Sequence, residues 1–259
     1  PRSPSLPPHK RSRDVEKRPE RMVEPPEDAS LDGSALAGMG SGLKGLLITF
    51  EGLDWCGKST QMELLAAALR ERGYVVLVTR EPGGTLIGEQ IRAGLHDRAN
   101  HEMHPHAEFL LYSASRARHV EQLIRPALAA GEIVLCDRFY DSSLAYQGYG
   151  RGLDLDALRR ITAFATSGLR PDLTIYVDID PRTGLSRRQR DGSAEWNRLD
   201  AQALAFHERV REGYRQLISA EPERWVSVDG DRPVEVVQVE IRALVEQRLT
   251  ARGIMPHLR

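Results

Sequence analysis

The sequence contains few cysteines, little net charge and no long apolar run. Its two cysteines, Cys56 and Cys136, lie far apart, which argues against a disulfide framework and for a reducing compartment. A formal net charge of −1 argues against a protein that coats nucleic acid. No run approaches the roughly 18 apolar residues of a membrane span, and the N-terminus lacks a signal-peptide core. We therefore expect a soluble, cytoplasmic protein with no membrane and no nucleic-acid partner.

The N-terminal segment differs in composition from the rest of the chain. Residues 1–44 are rich in Pro, Arg, Glu, Ser and Gly and have almost no large apolar side chains. Such a segment buries too little apolar surface to offset its ordering entropy, so we predict a disordered extension. Its basic half, around Lys10 and Arg13, leaves a nucleic-acid contact or a targeting signal open beside a solvated tail.

A glycine-rich motif follows the first apolar segment. Residues 46–50 are apolar and rich in strand formers, and Gly52 to Ser59 then give the pattern G-x-x-x-x-G-K-S before a helix-like segment over 61–72. Strand, glycine loop and helix in this order indicate a P-loop, whose backbone N–H groups and helix N-terminus hold phosphate. Lys58 is placed to reach the β- and γ-phosphates, and Ser59 to ligate Mg²⁺. The sequence predicts a protein that binds a nucleoside triphosphate.

Further apolar segments alternate with helical patterns along the chain. Strands are predicted over 74–79, 132–136, 173–179 and 225–228, and helices over 87–95, 107–129, 155–167, 181–189, 199–219 and 233–249. This alternation predicts an α/β fold with a doubly wound, five-stranded parallel sheet flanked by helices. We expect one domain over residues 45–250 and a C-terminal tail over 251–259.

Polar residues follow two of the predicted strands. Arg80, Glu81 and Pro82 come after the second strand, and Asp137 and Arg138 come after the third. Because α/β sheets bind ligands at the carboxyl ends of their strands, we expect a site there. Asp137 suits a position near Mg²⁺, and Arg138 suits a clamp on a second phosphate. A turn with solvated side chains is the alternative for Arg80 and Glu81.

Two other polar features each allow two interpretations. Tyr112 and Arg116 project from one face of a predicted helix, either as a stacking ring beside an arginine that binds phosphate or as a core tyrosine beside a surface arginine. The arginine-rich segment 187–198 is either a charged surface loop or a mobile lid that excludes water from a nucleotide. The histidines between residues 96 and 106 fit no common metal template, and we interpret them as surface side chains.

Taken together, the motifs resemble those of thymidylate kinases, which make dTDP from dTMP and ATP. The resemblance rests on FEGLDWCGKST, TREPGGT, LLYSASR, CDRFYDSSLAYQG and AFHERVREGY, in this order, and covers about residues 45–250. It implies a P-loop nucleoside monophosphate kinase-like fold with a short lid at about 187–198. It also implies ATP and dTMP as substrates, Mg²⁺ as cofactor, and a homodimer packed through helices, with 107–129 as a candidate face.

The resemblance further implies roles for individual residues. ATP would be bound by Gly52, Leu53, Asp54, Trp55, Cys56, Gly57, Lys58, Ser59 and Thr60. The dTMP pocket would be formed by Asp54, Arg80, Glu81, Pro82, Tyr112, Arg116, Arg138, Ser142, Tyr146 and Gln147. The metal would be held by Ser59, Asp54 and Asp137, and Lys58 and Arg138 would act in catalysis.

The P-loop departs from the family pattern at two positions. Members of the family carry a transition-state arginine either in the P-loop, just after its Asp, or in the lid. Trp55 occupies the P-loop position here, so the resemblance implies the lid subtype, with Arg187, Arg188 and Arg190 as catalytic candidates. Trp55 either stacks on the nucleotide or packs against protein. Because a helix N-terminus lowers a thiol pKa, inhibition by oxidation of Cys56 is a further hypothesis.

Two other functions stay open. A kinase for another nucleoside monophosphate or a deoxynucleoside would share the fold, but Tyr112, Arg116, Ser142 and Gln147 favour thymine, and a free nucleoside would leave Arg138 without a phosphate. A P-loop ATPase switch is the other alternative. The arginine cluster and the lack of an identifiable water-positioning motif argue against it.

Overall fold

The computed structural model describes residues 43–191, 199 and 202–256. The strands are β1 (Leu46–Gly52), β2 (Val76–Arg80), β3 (Ile133–Asp137), β4 (Leu173–Asp178) and β5 (Trp225–Asp229). The helices among these residues are α1 (Lys58–Glu71), α2 (Leu86–His96), α3 (Pro105–His119), α4 (Arg125–Ala129), α5 (Tyr140–Ser143), α6 (Leu155–Ala165), α7 (Pro181–Asp191), α8 (Leu204–Ala220) and α9 (Val234–Ala251). Short 3₁₀ and π-helical turns cover Arg98–Asn100, Val120–Ile124 and Leu144–Gly150.

The five strands form one parallel sheet in the order β2-β3-β1-β4-β5. The first strand, β1, lies at the centre and pairs with β3 and β4. In this register Asp137 is the partner of both Phe50 and Arg80. The carboxyl ends of β1, β2 and β3 therefore meet at one edge, and the predicted doubly wound, five-stranded parallel sheet is confirmed.

Alternation along β1 divides the hydrophobic core into two layers. Leu46, Ile48 and Phe50 pack with residues of α1 and α9, whereas Leu47 packs on the opposite face with residues of α3 and α8. Both layers are needed because every residue of β1 is buried, as is typical of a parallel strand covered by helices on both sides.

The structure differs from the predicted elements in three segments. The helix predicted over 107–129 is interrupted after His119 by a π-helical turn, because Pro126 lacks the N–H that a continuous helix needs. The helix predicted from residue 199 begins at Leu204. The segment after Arg138, for which no element was predicted, contains α5 and a second π-helical turn.

Parts of three predicted segments lie outside the described residues. These are most of the extension over 1–44, lid residues 192–198 and tail residues 257–259. The described part of the predicted lid, which carries Arg187, Arg188 and Arg190, belongs to α7 and is not a loop. Within the described part of the chain, no helix is both long and apolar enough to cross a membrane.

Candidate active site

The P-loop joins β1 to α1 through left-handed backbone. Gly52 has φ 146°, and a Cβ there would lie 2.6 Å from the carbonyl oxygen of Val177. Gly57 has φ 96° and caps α1. Trp55 also has a positive φ, 65°, which is uncommon for a non-glycine residue. This curled loop leaves the first N–H groups of α1 available to an anion.

Lys58 lies between two carboxylates at the carboxyl edge of the sheet. Its Nζ is 3.9 Å from Asp54 Oδ1 and 4.0 Å from Asp137 Oδ1, and it donates to the carbonyl oxygen of Leu53. The Lys58 residue is only 6% exposed. The structure thus brings the predicted lysine and both predicted acids together.

Ser59 and Asp137 form the part of the site that suits a cation. Ser59 Oγ donates to Asp137 Oδ2 at 2.7 Å, and Asp137 Oδ1 is buried without a hydrogen bond from the described residues. In the described ranges, no group of three His, Cys, Asp or Glu side chains is arranged to hold a metal. Mg²⁺ in kinases needs only one or two protein oxygens beside phosphate and water oxygens, so Ser59 and Asp137 fit it.

Arg138 connects the P-loop to the residues after β3. It has φ 67°, and its Nη2 donates to Asp54 Oδ1 at 2.7 Å while its Nη1 donates to the carbonyl oxygen of Gly52 at 2.9 Å. Burial opposes ionisation of Asp54, but Arg138 and Lys58 outweigh it and hold the pKa of Asp54 well below its ordinary value. A non-glycine residue with positive φ, fixed by two hydrogen bonds, is typical of a functional site.

Glu51 is a buried acid that our sequence reasoning missed. Its side chain accepts hydrogen bonds from the backbone N–H of Phe139 at 2.8 Å, from Ser142 Oγ at 2.5 Å and from Tyr214 OH at 2.8 Å. Burial and the nearby charge of Asp141 raise the pKa of Glu51 to about 7. Glu51 therefore fixes the backbone after Arg138, and a charged residue directly after the apolar run 46–50 was the available signal.

A pocket adjoins the phosphate site of the P-loop and has a volume of about 660 Å³ including its open mouth. We call it the second pocket, since the P-loop forms the first binding site. Nine of the ten residues predicted for the dTMP pocket line it. The exception is Arg80, which forms an ion pair with Glu89 at 3.1 Å because Glu89 lies in the first turn of α2. The lining residues are Asp54, Glu81, Pro82, Arg92, His96, Tyr112, Arg116, Arg138, Phe139, Ser142, Ser143, Tyr146, Gln147 and Leu199. Five of these were not predicted: Arg92, His96, Phe139, Ser143 and Leu199.

Arg116 is held in this second pocket by a buried network. Its Nε donates to Glu81 Oε2 at 2.7 Å, and its Nη2 donates to Ser143 Oγ at 2.9 Å. His119 Nδ1 lies 3.0 Å from the other Glu81 oxygen. Arg116 is 1% exposed, and its Nη1 is buried without a hydrogen-bond partner in the described part of the chain. One donor of a rigid guanidinium is therefore available to a ligand.

The three predicted lid arginines have different surroundings on α7. Arg188 is 2% exposed, and its guanidinium lies 4.7 Å from the ring centre of Trp55. Arg187 donates to the carbonyl oxygen of Gly230 and to Asp231 Oδ1, each at 3.0 Å. Arg190 is exposed. Trp55 therefore packs against Arg188, and its contact with the nucleotide stays a prediction.

The pKa prediction for Cys56 is wrong. Cys56 is 1% exposed, and burial raises the pKa of its thiol despite the nearby Lys58. Cys136 is fully buried in the core layer on the opposite face of the sheet, and its pKa is raised as well. Burial outweighs the helix N-terminus here, so both free cysteines are poor nucleophiles.

The fold and these two adjoining sites define a P-loop nucleotide-binding protein with a separate pocket for a small ligand. The family model for thymidylate kinase matches residues 50–241. The chain is 51% identical over 216 residues to the thymidylate kinase of Roseiflexus sp. (strain RS-1), an alignment that covers 80% of this chain and 96% of that protein. The thymidylate kinase of Deinococcus radiodurans is 52% identical over 205 residues, covering 79% and 98%. That of Exiguobacterium sp. is 48% identical over 212 residues, covering 82% and 99%. The chain belongs to the thymidylate kinase family.

Proposed function

We propose that this protein transfers the γ-phosphoryl group of ATP to dTMP, which yields dTDP and ADP. The observation that carries the proposal is the junction of two sites at Arg138. This residue lines the second pocket and donates to Gly52 and Asp54 of the P-loop. A phosphate on a nucleotide in the second pocket would therefore face a phosphate held by the P-loop. Membership of the thymidylate kinase family supports dTMP as that nucleotide.

The proposed transfer needs positioning and charge neutralisation more than covalent help. The acceptor phosphate is largely ionised near neutral pH, because its second pKa is about 6, so no general base is required. Lys58 would neutralise the transferred group, and Arg138 would orient the acceptor oxygen for in-line attack. Tyr112 would lie against the thymine ring. The free Nη1 donor of Arg116 would bond a carbonyl oxygen of the base.

We propose Mg²⁺ as the cofactor, held by Ser59 and Asp137. The support is the buried Asp137 Oδ1, which accepts no hydrogen bond from the described residues, beside the Ser59 hydroxyl. When bound, Mg²⁺ would neutralise charge on the β- and γ-phosphates. Asp54, the third predicted ligand, is bonded to Arg138, and we assign it to orienting that arginine.

We propose that an arginine of α7 supplies transition-state charge, because Trp55 has no charge to donate. Arg188 is the first candidate, since it is the arginine of the three that stacks on the P-loop. Alanine at 187, 188 and 190 in turn should lower kcat most for Arg188→Ala, by more than tenfold, or about 1.4 kcal/mol. If none of the three variants loses tenfold, measured by ADP release at saturating substrates, the lid-arginine proposal is wrong.

We also propose a cytoplasmic homodimer. Leu110 on α3 and Phe164 on α6 are 53% and 83% exposed, and such apolar side chains favour burial against a second copy. Two free, buried cysteines agree with a reducing compartment. Sedimentation that finds only monomer at micromolar concentration would contradict the dimer.

The experiment that tests the proposed function is ADP release from ATP and Mg²⁺ with different acceptors. The acceptors are dTMP, dUMP, dCMP, dGMP, AMP and thymidine, with a reaction without acceptor as the control. We expect strong preference for dTMP. Preference for another monophosphate or for thymidine would reassign the substrate, and equal rates with and without acceptor would indicate a P-loop ATPase.

A further inference from the structure

A buried carboxylate lies behind the second pocket. Glu108, on the first turn of α3, is fully buried. Its Oε1 accepts a hydrogen bond from Gln147 Nε2 at 2.7 Å, and its Oε2 lies 3.2 Å from Arg151 Nη2. Gln147 lines the second pocket, whereas Glu108 and Arg151 do not. In this Glu108–Gln147–Arg151 triad, the mechanism described above assigns no role to Glu108 or Arg151.

The chemistry of this contact fixes the orientation of the Gln147 amide. An ionised carboxylate has only acceptors, so the group of Gln147 that faces Glu108 must be its NH₂. The amide oxygen then points away from Glu108. Gln147 is 2% exposed, and no donor from the described part of the chain reaches its oxygen. The second pocket therefore presents an acceptor at this position.

Arg151 holds the other oxygen of the Glu108 carboxylate. Its guanidinium pairs with Glu108, lies 5.0 Å from the ring centre of Phe206 and donates to Gln202 Oε1 at 3.0 Å. Arg151 is thus held at three points and fixes the position of the Glu108 carboxylate behind Gln147.

We propose that Glu108 is a specificity-positioning residue, which fixes Gln147 so that its amide oxygen accepts a hydrogen bond from the N3–H group of the base. The inference rests on the proposed function. Thymine and uracil carry this N–H, whereas cytosine presents a lone pair at N3. An oxygen there attracts thymine and repels cytosine, and the turned-over amide would do the reverse. Glu108 thus acts through Gln147 and does not touch the ligand.

Glu108→Gln tests the proposal, because a neutral amide at 108 can face either end of Gln147. The measurement is the dissociation constant of dTMP and of dCMP by calorimetry. We expect the ratio of the two affinities to fall about tenfold toward dCMP, the size of one exchanged buried hydrogen bond. The donor of Arg116 is unchanged, so some preference for dTMP is retained. In a Gln147→Met background, Glu108→Gln should leave the ratio unchanged.

The matched control is Asp172→Asn, which neutralises a partly buried carboxylate that is paired with an arginine, Arg252, at the opposite end of the sheet from the second pocket. It should leave the ratio unchanged even if stability falls. If Glu108→Gln does not fold, Arg151→Met at the surface end of the triad should lower the ratio in the same direction. Equal loss of both affinities, or an unchanged ratio in a folded variant, would overturn the inference. A wild-type protein that does not prefer dTMP would instead overturn the proposed function.

Discussion

The two ends of the candidate site are held in place in different ways. In the second pocket, Arg116 is fixed by Glu81 and Ser143, and one donor is left over for a ligand. At the P-loop, the cations Lys58 and Arg138 already face carboxylates of the protein. The second pocket therefore has its donors in position before a base arrives. At the P-loop, an entering phosphate must share or replace the partners of the cations.

This difference separates recognition from chemistry. A fixed donor in a buried pocket loses little freedom on binding, which favours affinity and discrimination. Cations that change partners as charge develops act on the transition state, which favours rate. Changes at the second pocket should therefore appear mainly in KM, and changes at the P-loop mainly in kcat.

The largest effect is expected for Lys58→Met. Removing the cation between Asp54 and Asp137 leaves the transferred group without its protein countercharge, so we expect kcat to fall about 10³-fold. The measurement is ADP release at saturating ATP and dTMP. Lys44→Met, at the opposite end of β1 and exposed, is the matched control and should keep its kcat. A kcat within tenfold of wild type would remove Lys58 from catalysis.

A smaller effect, on binding, is expected for Arg116→Gln. The variant loses the Nη1 donor and the pair with Glu81, so we expect the KM for dTMP to rise about 100-fold while kcat falls less than tenfold. Arg125→Gln, which replaces an arginine that binds the carbonyl oxygens of Thr166 and Ser167, should leave this KM unchanged. A loss confined to kcat would contradict the inference that the second pocket acts mainly in binding and the P-loop mainly in catalysis.

The third effect is on stability, not on rate or binding, and comes from Glu51, which lies between the two ends. The folded protein holds the Glu51 proton more tightly than the unfolded chain, because its pKa rises from 4.5 to about 7. The free energy of unfolding should therefore fall as pH rises from 4.5 to 7, by about 3 kcal/mol. Glu51→Gln should lack this component. Urea unfolding of both proteins at pH 5 and pH 8 measures it, and identical pH dependence would contradict it.

Local patterns were enough to predict the fold and the P-loop. Apolar runs and the spacing of glycines specify strands, their order in the chain and the phosphate loop, because these depend on near neighbours. The tips of β2 and β3 were predicted as a site because parallel strands end at one edge. Glu81 and Arg138 both line the second pocket, and their roles in binding stay predictions.

Local patterns could not predict which side chains contact each other when they are distant in sequence. Arg80 lies beside Glu81 at the end of β2 but forms an ion pair with Glu89. The residues adjacent to Arg80 in the sequence do not predict this pair. Cys56 shows the same limit, because only the tertiary structure shows that burial outweighs the helix N-terminus. Glu108 was also missed, since an acid at the first turn of a helix is ordinarily solvated.

The central position of β1 has a consequence for the synthesis of the protein. The strand that leads into the P-loop, β1, is synthesised before its neighbours β3 and β4. Thr49 of β1 is hydrogen-bonded to Thr174, which lies 125 residues further along the chain. Ser59 is likewise hydrogen-bonded to Asp137, which lies 78 residues further along the chain. During synthesis, the complete P-loop sequence is therefore present before the sheet can form, and both edges of β1 stay unpaired. The strand β1 has both of its neighbours only after β3 and β4 have been synthesised.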